Sequence, residues 1–198
     1  MIDQNQVIYW LSNKQGKKLT TFDLEDQTYV HWSPYTSKIA AAISNGLEIF
    51  PFFKHTKILY IDSNHDANVH HLLNIVGSEG KIYLKKIQSS KFLEKIPSNL
   101  EYLEDNNSEK IINIDILYID LPNENYYKII QNYEKFLKNN GFIILIVNNT
   151  DISKTRSDYD TLDFYHYLKT KYTILQQVFL DEFFKKQTLI IAQFVDKN

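Results

Sequence analysis

The chain has no cysteine, five glycines in 198 residues, and a single arginine among 22 basic residues. The absence of cysteine excludes disulfides, thiolate metal ligands and a cysteine nucleophile together, and suits a reducing compartment. With Arg156 as the one guanidinium and a formal net charge of −2, the chain lacks the forks that grip phosphate in two places, so autonomous nucleic-acid binding is not expected. No apolar run approaches the roughly 20 residues that span a bilayer, and the first residues carry no basic and apolar leader pattern. An intracellular, cytoplasmic protein without a membrane partner is therefore expected. Glycine is missing where a cofactor-binding fold most needs it. Segment 57–71, KILYIDSNHDANVHH, reads as a buried strand, a turn and a helix start, and its turn offers Asp62, His65 and Asp66 instead of residues without Cβ.

What is present is a globular composition, 43 % hydrophobic and 14 % aromatic, enough for one core. Segments 6–12, 17–24 and 28–32, separated by polar turns, read as a small β meander, giving an N-terminal appendage over 1–33. After Pro34 the period changes, with Ile39, Ala42, Ile43 and Leu47 on one helical face. Strands are expected at 57–62, 81–85, 100–104, 114–119 and 141–147, with helices near 66–76, 89–96 and 124–138, the last striped by Tyr126, Ile130, Tyr133 and Leu137. A helix near 158–170 and strands at 173–180 and 188–195 close the chain as an antiparallel hairpin at one sheet edge. Such alternation predicts right-handed βαβ units over 34–198.

Segment 31–48, HWSPYTSKIAAAISNGLE, resembles the fibrillarin family's W-x-P-x-R-S-K-L-A-A-A-I-x-x-G-L. Residues 69–77, VHHLLNIVG, are similar to the family's V-S-H-V-S-D-I-V-G helix, and 114–120, IDILYID, to its V-D-V-I-Y-Q-D strand. The resemblance covers roughly 28–195. It implies a Rossmann-like S-adenosylmethionine-dependent methyltransferase fold, a seven-stranded sheet with helices on both faces and a small N-terminal β appendage. It also implies methylation of rRNA or tRNA ribose 2′-hydroxyls within a box C/D guide ribonucleoprotein, docked on a Nop-domain scaffold protein. No Gly/Arg-rich tail is present, so the likeness is to the archaeal type.

The departures from the family pattern fall on its chemistry. The cofactor loop G-A-A-S-G-T-T corresponds to 62–68, DSNHDAN, which replaces both glycines by Asp62 and Asp66. The acid that accepts from the cofactor ribose corresponds to Lys86, a charge reversal with no acceptor to offer. The adenine-contacting acid corresponds to Asp105, or, one residue on, to Asn106. Of the Lys-Asp-Lys-His set that holds the 2′-hydroxyl, the resemblance carries the first lysine to Lys38 and the aspartate to Asp120. The second lysine falls at Asn148 and the histidine near Gln187, both uncharged amides that cannot act as bases.

Three functions follow as expectations. The leading one is a fibrillarin-like pseudo-methyltransferase serving as a binding subunit in RNA processing or a ribonucleoprotein, with no cofactor and with RNA reached mainly through its partner. The alternative is a divergent, active S-adenosylmethionine-dependent 2′-O-methyltransferase. The third is a metal or small-ligand binder using Asp62, His65, Asp66, His70 and His71. Plainer readings stand beside these. Lys38 with Asp120 makes an ordinary ion pair, and histidines at a helix start are usually caps or solvated residues. The lysines at 81, 85, 86, 91 and 95 read as a solvated edge, and Trp32 and Tyr35 as packing residues rather than base-stacking platforms.

Overall fold

A computed structural model describes residues 7–13, 16–23, 25–62, 68–86, 96–104, 111–121, 126–149 and 159–195. The meander forms as an antiparallel sheet of β1 (Tyr9–Asn13), β2 (Gly16–Asp23) and β3 (Thr28–His31). A second sheet contains β4 (Lys57–Asp62), β5 (Lys81–Lys86), β6 (Leu100–Tyr102), β7 (Ile114–Asp120), β8 (Leu137–Asn148), β9 (Tyr172–Phe179) and β10 (Gln187–Phe194). Its spatial order is β6-β5-β4-β7-β8-β10-β9. The first five strands run parallel, while β10 is antiparallel to both β8 and β9. The chain thus closes with the hairpin expected at one edge.

Strand alternation explains how the sheet is buried on both faces. In β4, Ile58 and Tyr60 join one core with Trp32, the alanines of α1 (Lys38–Ser44) and Leu72 of α2 (Asn68–Val76). Leu59 and Ile61 join the other, with Tyr126 and Ile130 of α3 (Tyr126–Tyr133) and Phe164 and Leu168 of α4 (Tyr159–Lys171). Each fully buried aliphatic side chain contributes about 1.5–3 kcal/mol against exposure, so continuous apolar strands need helices on both sides. α2 stops at Gly77, whose φ of 68° is the left-handed conformation suited to a helix C-terminus. The N-terminal sheet is tied to α2: Thr21 Oγ1 lies 2.7 Å from His71 Nδ1, and the His71 ring stacks on buried Trp32 with centres 4.8 Å apart.

Three expectations change. The helix over 124–138 ends at Tyr133, passes through a 3-10 turn at Glu134–Phe136, and gives way to β8 at Leu137. Leu137 does bury, but from a strand, because Asn140 adopts φ 61° and a Cβ on Gly141 would meet Leu137 Cδ1 at 2.7 Å. The register shift between β7 and β8 falls there. The lysine-bearing strand β5 is not an edge, since β6 lies outside it, and half-buried Lys81 pairs with Glu101 at 3.3 Å. Tyr35 is not a packing residue, being 74 % exposed, whereas Trp32 is fully buried. The helix near 89–96 falls almost entirely outside the described residues.

Candidate functional site

The chain runs from β4 through β5 to β6 on one side and from β7 to β8 on the other, so the crevice beyond the carboxyl ends of β4 and β7 is the switch point where such sheets bind ligands. Asp62 and Asp120 end these two strands and are register partners. Both are buried, 3 % and 2 % exposed. On the other side of β4, Lys86 is the register partner of Asp62. The strand ends therefore present Lys86, Asp62 and Asp120 in adjacent positions.

Asp120 accepts a hydrogen bond from Lys38 Nζ at 2.6 Å. Lys38 is placed by local sequence: Ser37 caps α1 by accepting from Ala40 N at 3.0 Å, and Lys38 is the first residue of the helix it opens. Burial pushes the Asp120 carboxyl above the usual carboxylate range, opposed by the Lys38 ammonium and by a hydrogen bond from the Tyr118 hydroxyl. A buried carboxylate held between an ammonium and a phenol can accept from a third hydroxyl entering beside Lys38.

Beneath this pair lies a buried polar network that sequence reasoning missed. Ser37 Oγ donates to Asn68 Oδ1, and Asn68 Nδ2 donates to Tyr60 OH at 3.1 Å and to Tyr118 OH at 3.4 Å. The Tyr60 and Tyr118 rings stack with centres 4.3 Å apart. Asn68 is wholly buried, so one side chain joins the starts of α1 and α2 to β4 and β7. A signal existed in Tyr60 and Tyr118, each standing two residues before the terminal aspartate of a largely apolar strand.

Asn148 and Gln187 are cross-strand partners between β8 and β10. By alternation they share the face of Ile146 and Leu189, which pack in the same core as Tyr118. Gln187 Oε1 is buried without a hydrogen-bond partner. Asn149 N donates to Lys186 O at 2.7 Å, fixing the β9–β10 turn beside them. From that turn Phe184 lies under the Lys38 ammonium, 5.7 Å from ring centre to Nζ.

His65, Asp66 and Asp105, with Asn106, lie outside the described residues. Among the described residues no group of three His, Asp or Glu side chains is placed to hold a metal ion. His71 is engaged with Thr21 and Trp32, and burial, with the nearby His70 and His31, lowers its pKa to about 3. No helix among the described residues is long and apolar enough to cross a membrane.

The family model "Fibrillarin" matches residues 11–196. A fibrillarin-like rRNA/tRNA 2′-O-methyltransferase of Pyrobaculum islandicum is 28 % identical over 188 residues, covering 85 % of this chain and 78 % of that protein. The structure of Aeropyrum pernix fibrillarin with natively bound S-adenosyl-L-methionine superposes with a TM-score of 0.79 at 20 % identity, covering 96 % and 95 % of the two chains. A fibrillarin/Nop5p complex contains a chain similar at TM-score 0.74 and 22 % identity, covering 95 % of this chain and 97 % of that one.

Proposed function

Because this chain belongs to the fibrillarin family, we propose that it is a methyltransferase-fold subunit of an RNA-modifying ribonucleoprotein that keeps the ribose-holding half of the family site and has lost efficient methyl transfer. The observation that carries this is the burial of Asp62. The family's first loop glycine leaves room for a ligand at the end of β4, whereas here a carboxylate side chain, 3 % exposed, fills that position beside Asp120. S-adenosylmethionine does not fit these residues as the family pocket holds it: two glycines have become aspartates, and the acceptor for the cofactor ribose has become Lys86. The uncharged Asn148–Gln187 pair removes two of the four groups that would hold and deprotonate the 2′-hydroxyl.

Lys38 and Asp120 remain competent to bind a ribose. The ammonium donates and the carboxylate accepts at 2.6 Å, so the donor and the acceptor a hydroxyl needs are already side by side, with Lys38 the more exposed of the two. By analogy with the fibrillarin/Nop5p complex, a Nop-domain scaffold is the protein partner of this subunit, and RNA reaches the site through that assembly. The intact pair also favours a second reading, a divergent but active 2′-O-methyltransferase for rRNA or tRNA, the activity named for the Pyrobaculum relative.

Calorimetric titration with S-adenosylmethionine separates the two. The purified chain should give no binding heat at micromolar cofactor, and micromolar affinity would overturn the impaired reading. Asp62→Ala and Asp66→Ala belong in the same series, because either carboxylate could pair with the cofactor ammonium. Binding that disappears in both variants would establish such a rewired pocket and favour the active enzyme.

A further inference from the structure

Tyr35 is 74 % exposed, and its ring meets Phe183 edge to face with centres 5.1 Å apart. Phe183 is followed by Phe184, whose ring lies 5.7 Å from the Lys38 ammonium. Exposed Tyr35 and half-buried Phe183 and Phe184 thus lead from solvent to the Lys38 ammonium. The turn that carries both phenylalanines is preorganised. Their amides donate to Leu180 O at 2.9 and 2.7 Å, Lys186 N donates to Asp181 Oδ1 at 2.8 Å, and Lys186 holds a left-handed φ of 59°. Lys185 and Lys186 are exposed on that turn. Asp181 and Glu182 are exposed on the same turn, and Asp181 accepts from Lys186 N and from Asn149 Nδ2.

We infer that Tyr35 and Phe183 form a stacking platform for one unpaired RNA base, whose neighbouring ribose lies at Lys38–Asp120, the ribose-holding pair of the proposed function. Aromatic rings interleaved with lysines are how proteins hold single-stranded RNA, because every base presents a π-face and its backbone presents charge. A nucleotide suits the place better than a protein does. The rings lead through Phe184 to Lys38, the donor of the ribose-holding pair, so one strand can reach both.

The test is photocrosslinking of the full chain, without cofactor, to a single-stranded RNA heptamer carrying one central 5-iodouridine, with the attachment residue located by mass spectrometry. Crosslinks are expected at Tyr35 or Phe183. Tyr35→Ala should lower the yield roughly tenfold, as loss of one base–aromatic stack does, and Tyr35→Phe should preserve it. The exposed position makes the alanine variant safe for folding, which circular dichroism would verify. Crosslinks confined to other residues, or a yield unchanged in Tyr35→Ala, would overturn the platform. So would loss of scaffold binding in Tyr35→Ala with unchanged crosslinking, which would put a protein there. Because cofactor is left out, the result is independent of the calorimetric test of impaired methyl transfer. Crosslinks near Lys38 that avoid Tyr35 and Phe183 would sink the platform alone, and no crosslink anywhere would remove the platform and the ribose site together.

Discussion

Gln187 stands opposite Asn148 across the antiparallel pair of β10 and β8. The two positions where the family resemblance expects a lysine and a histidine are thus neighbours in space, on the face of Ile146 and Leu189, which pack with Tyr118. Restoring them tests whether they alone limit chemistry. On the proposed loss of cofactor binding, Asn148→Lys with Gln187→His should give no methyl incorporation above background on guide-directed RNA, because Asp62, Asp66 and Lys86 still stand in place of the family's two glycines and acid. Each restored group is worth a factor of about 10²–10⁴ only in a site that binds its cofactor. Adding Asp62→Gly, Asp66→Gly and Lys86→Glu should bring activity up. Methylation by the double variant alone would place the defect in the amide pair.

The Lys38–Asp120 bridge should behave as a buried pair rather than a surface one. Lys38→Met leaves a carboxylate buried without its cation and should destabilise by about 3 kcal/mol at neutral pH. Lys38→Met combined with Asp120→Leu should lose much less than the sum of the single variants. The pH sign follows from burial. The Asp120 pKa is already raised, and without Lys38, which lowers it, it rises further. A carboxyl whose folded pKa is raised is tolerated best when protonated, so the stability deficit of Lys38→Met relative to the native chain should shrink as pH falls from neutral. Chemical denaturation across pH checks both statements, and additive single variants would mark the bridge as energetically idle.

Much of this architecture is legible in the sequence because a strand buried on both faces must read as a continuous apolar run, as in β4 and β7. Segment 124–138 misled because Tyr126, Ile130, Tyr133 and Leu137 keep helical spacing across a boundary set by the backbone of Asn140 and Gly141. The Lys38–Asp120 pair was readable only through family likeness, since 82 positions separate its members. Asn68 was overlooked for the opposite reason: its local context suggests a helix cap, and its role emerges only when Ser37, Tyr60 and Tyr118 converge on it. Composition says nothing of whether Tyr35 faces in or out, because one turn decides it.

His71 should make the fold acid-sensitive. Its pKa drops from 6.5 to about 3 on folding, so the folded state resists a proton that the unfolded chain accepts. Stability is then complete above the unfolded value and is lost as pH falls below about 6.5, by about 2 kcal/mol at roughly pH 5. Protonation would strain the Thr21 and Trp32 contacts that hold the N-terminal sheet. Urea midpoints should fall over this range in the native chain and much less in His71→Gln, whatever its absolute stability. An equal slope in both would assign the acid sensitivity to other groups.

The partner should control how much RNA the chain holds. A net charge of −2 with one arginine gives little long-range attraction for phosphate. Binding through several phosphate contacts would instead weaken steeply with salt, by about 0.9 in the logarithmic slope for each neutralised phosphate of a duplex and somewhat less on a single strand. Trp10 and Tyr29, on the N-terminal sheet, are 48 % and 39 % exposed, aromatic surface of the kind that protein interfaces favour. Pull-down from the native cells should therefore recover a Nop-domain protein, with guide RNA present only while that protein is bound. Stripping the scaffold at moderate salt should release the RNA with it and leave the isolated chain with only a weak, stacking-type contact for a single strand. Tight, salt-sensitive binding of bare guide or ribosomal RNA by the chain alone would refute indirect recruitment, because it would require a basic surface that neither the charge balance nor the lone arginine supplies.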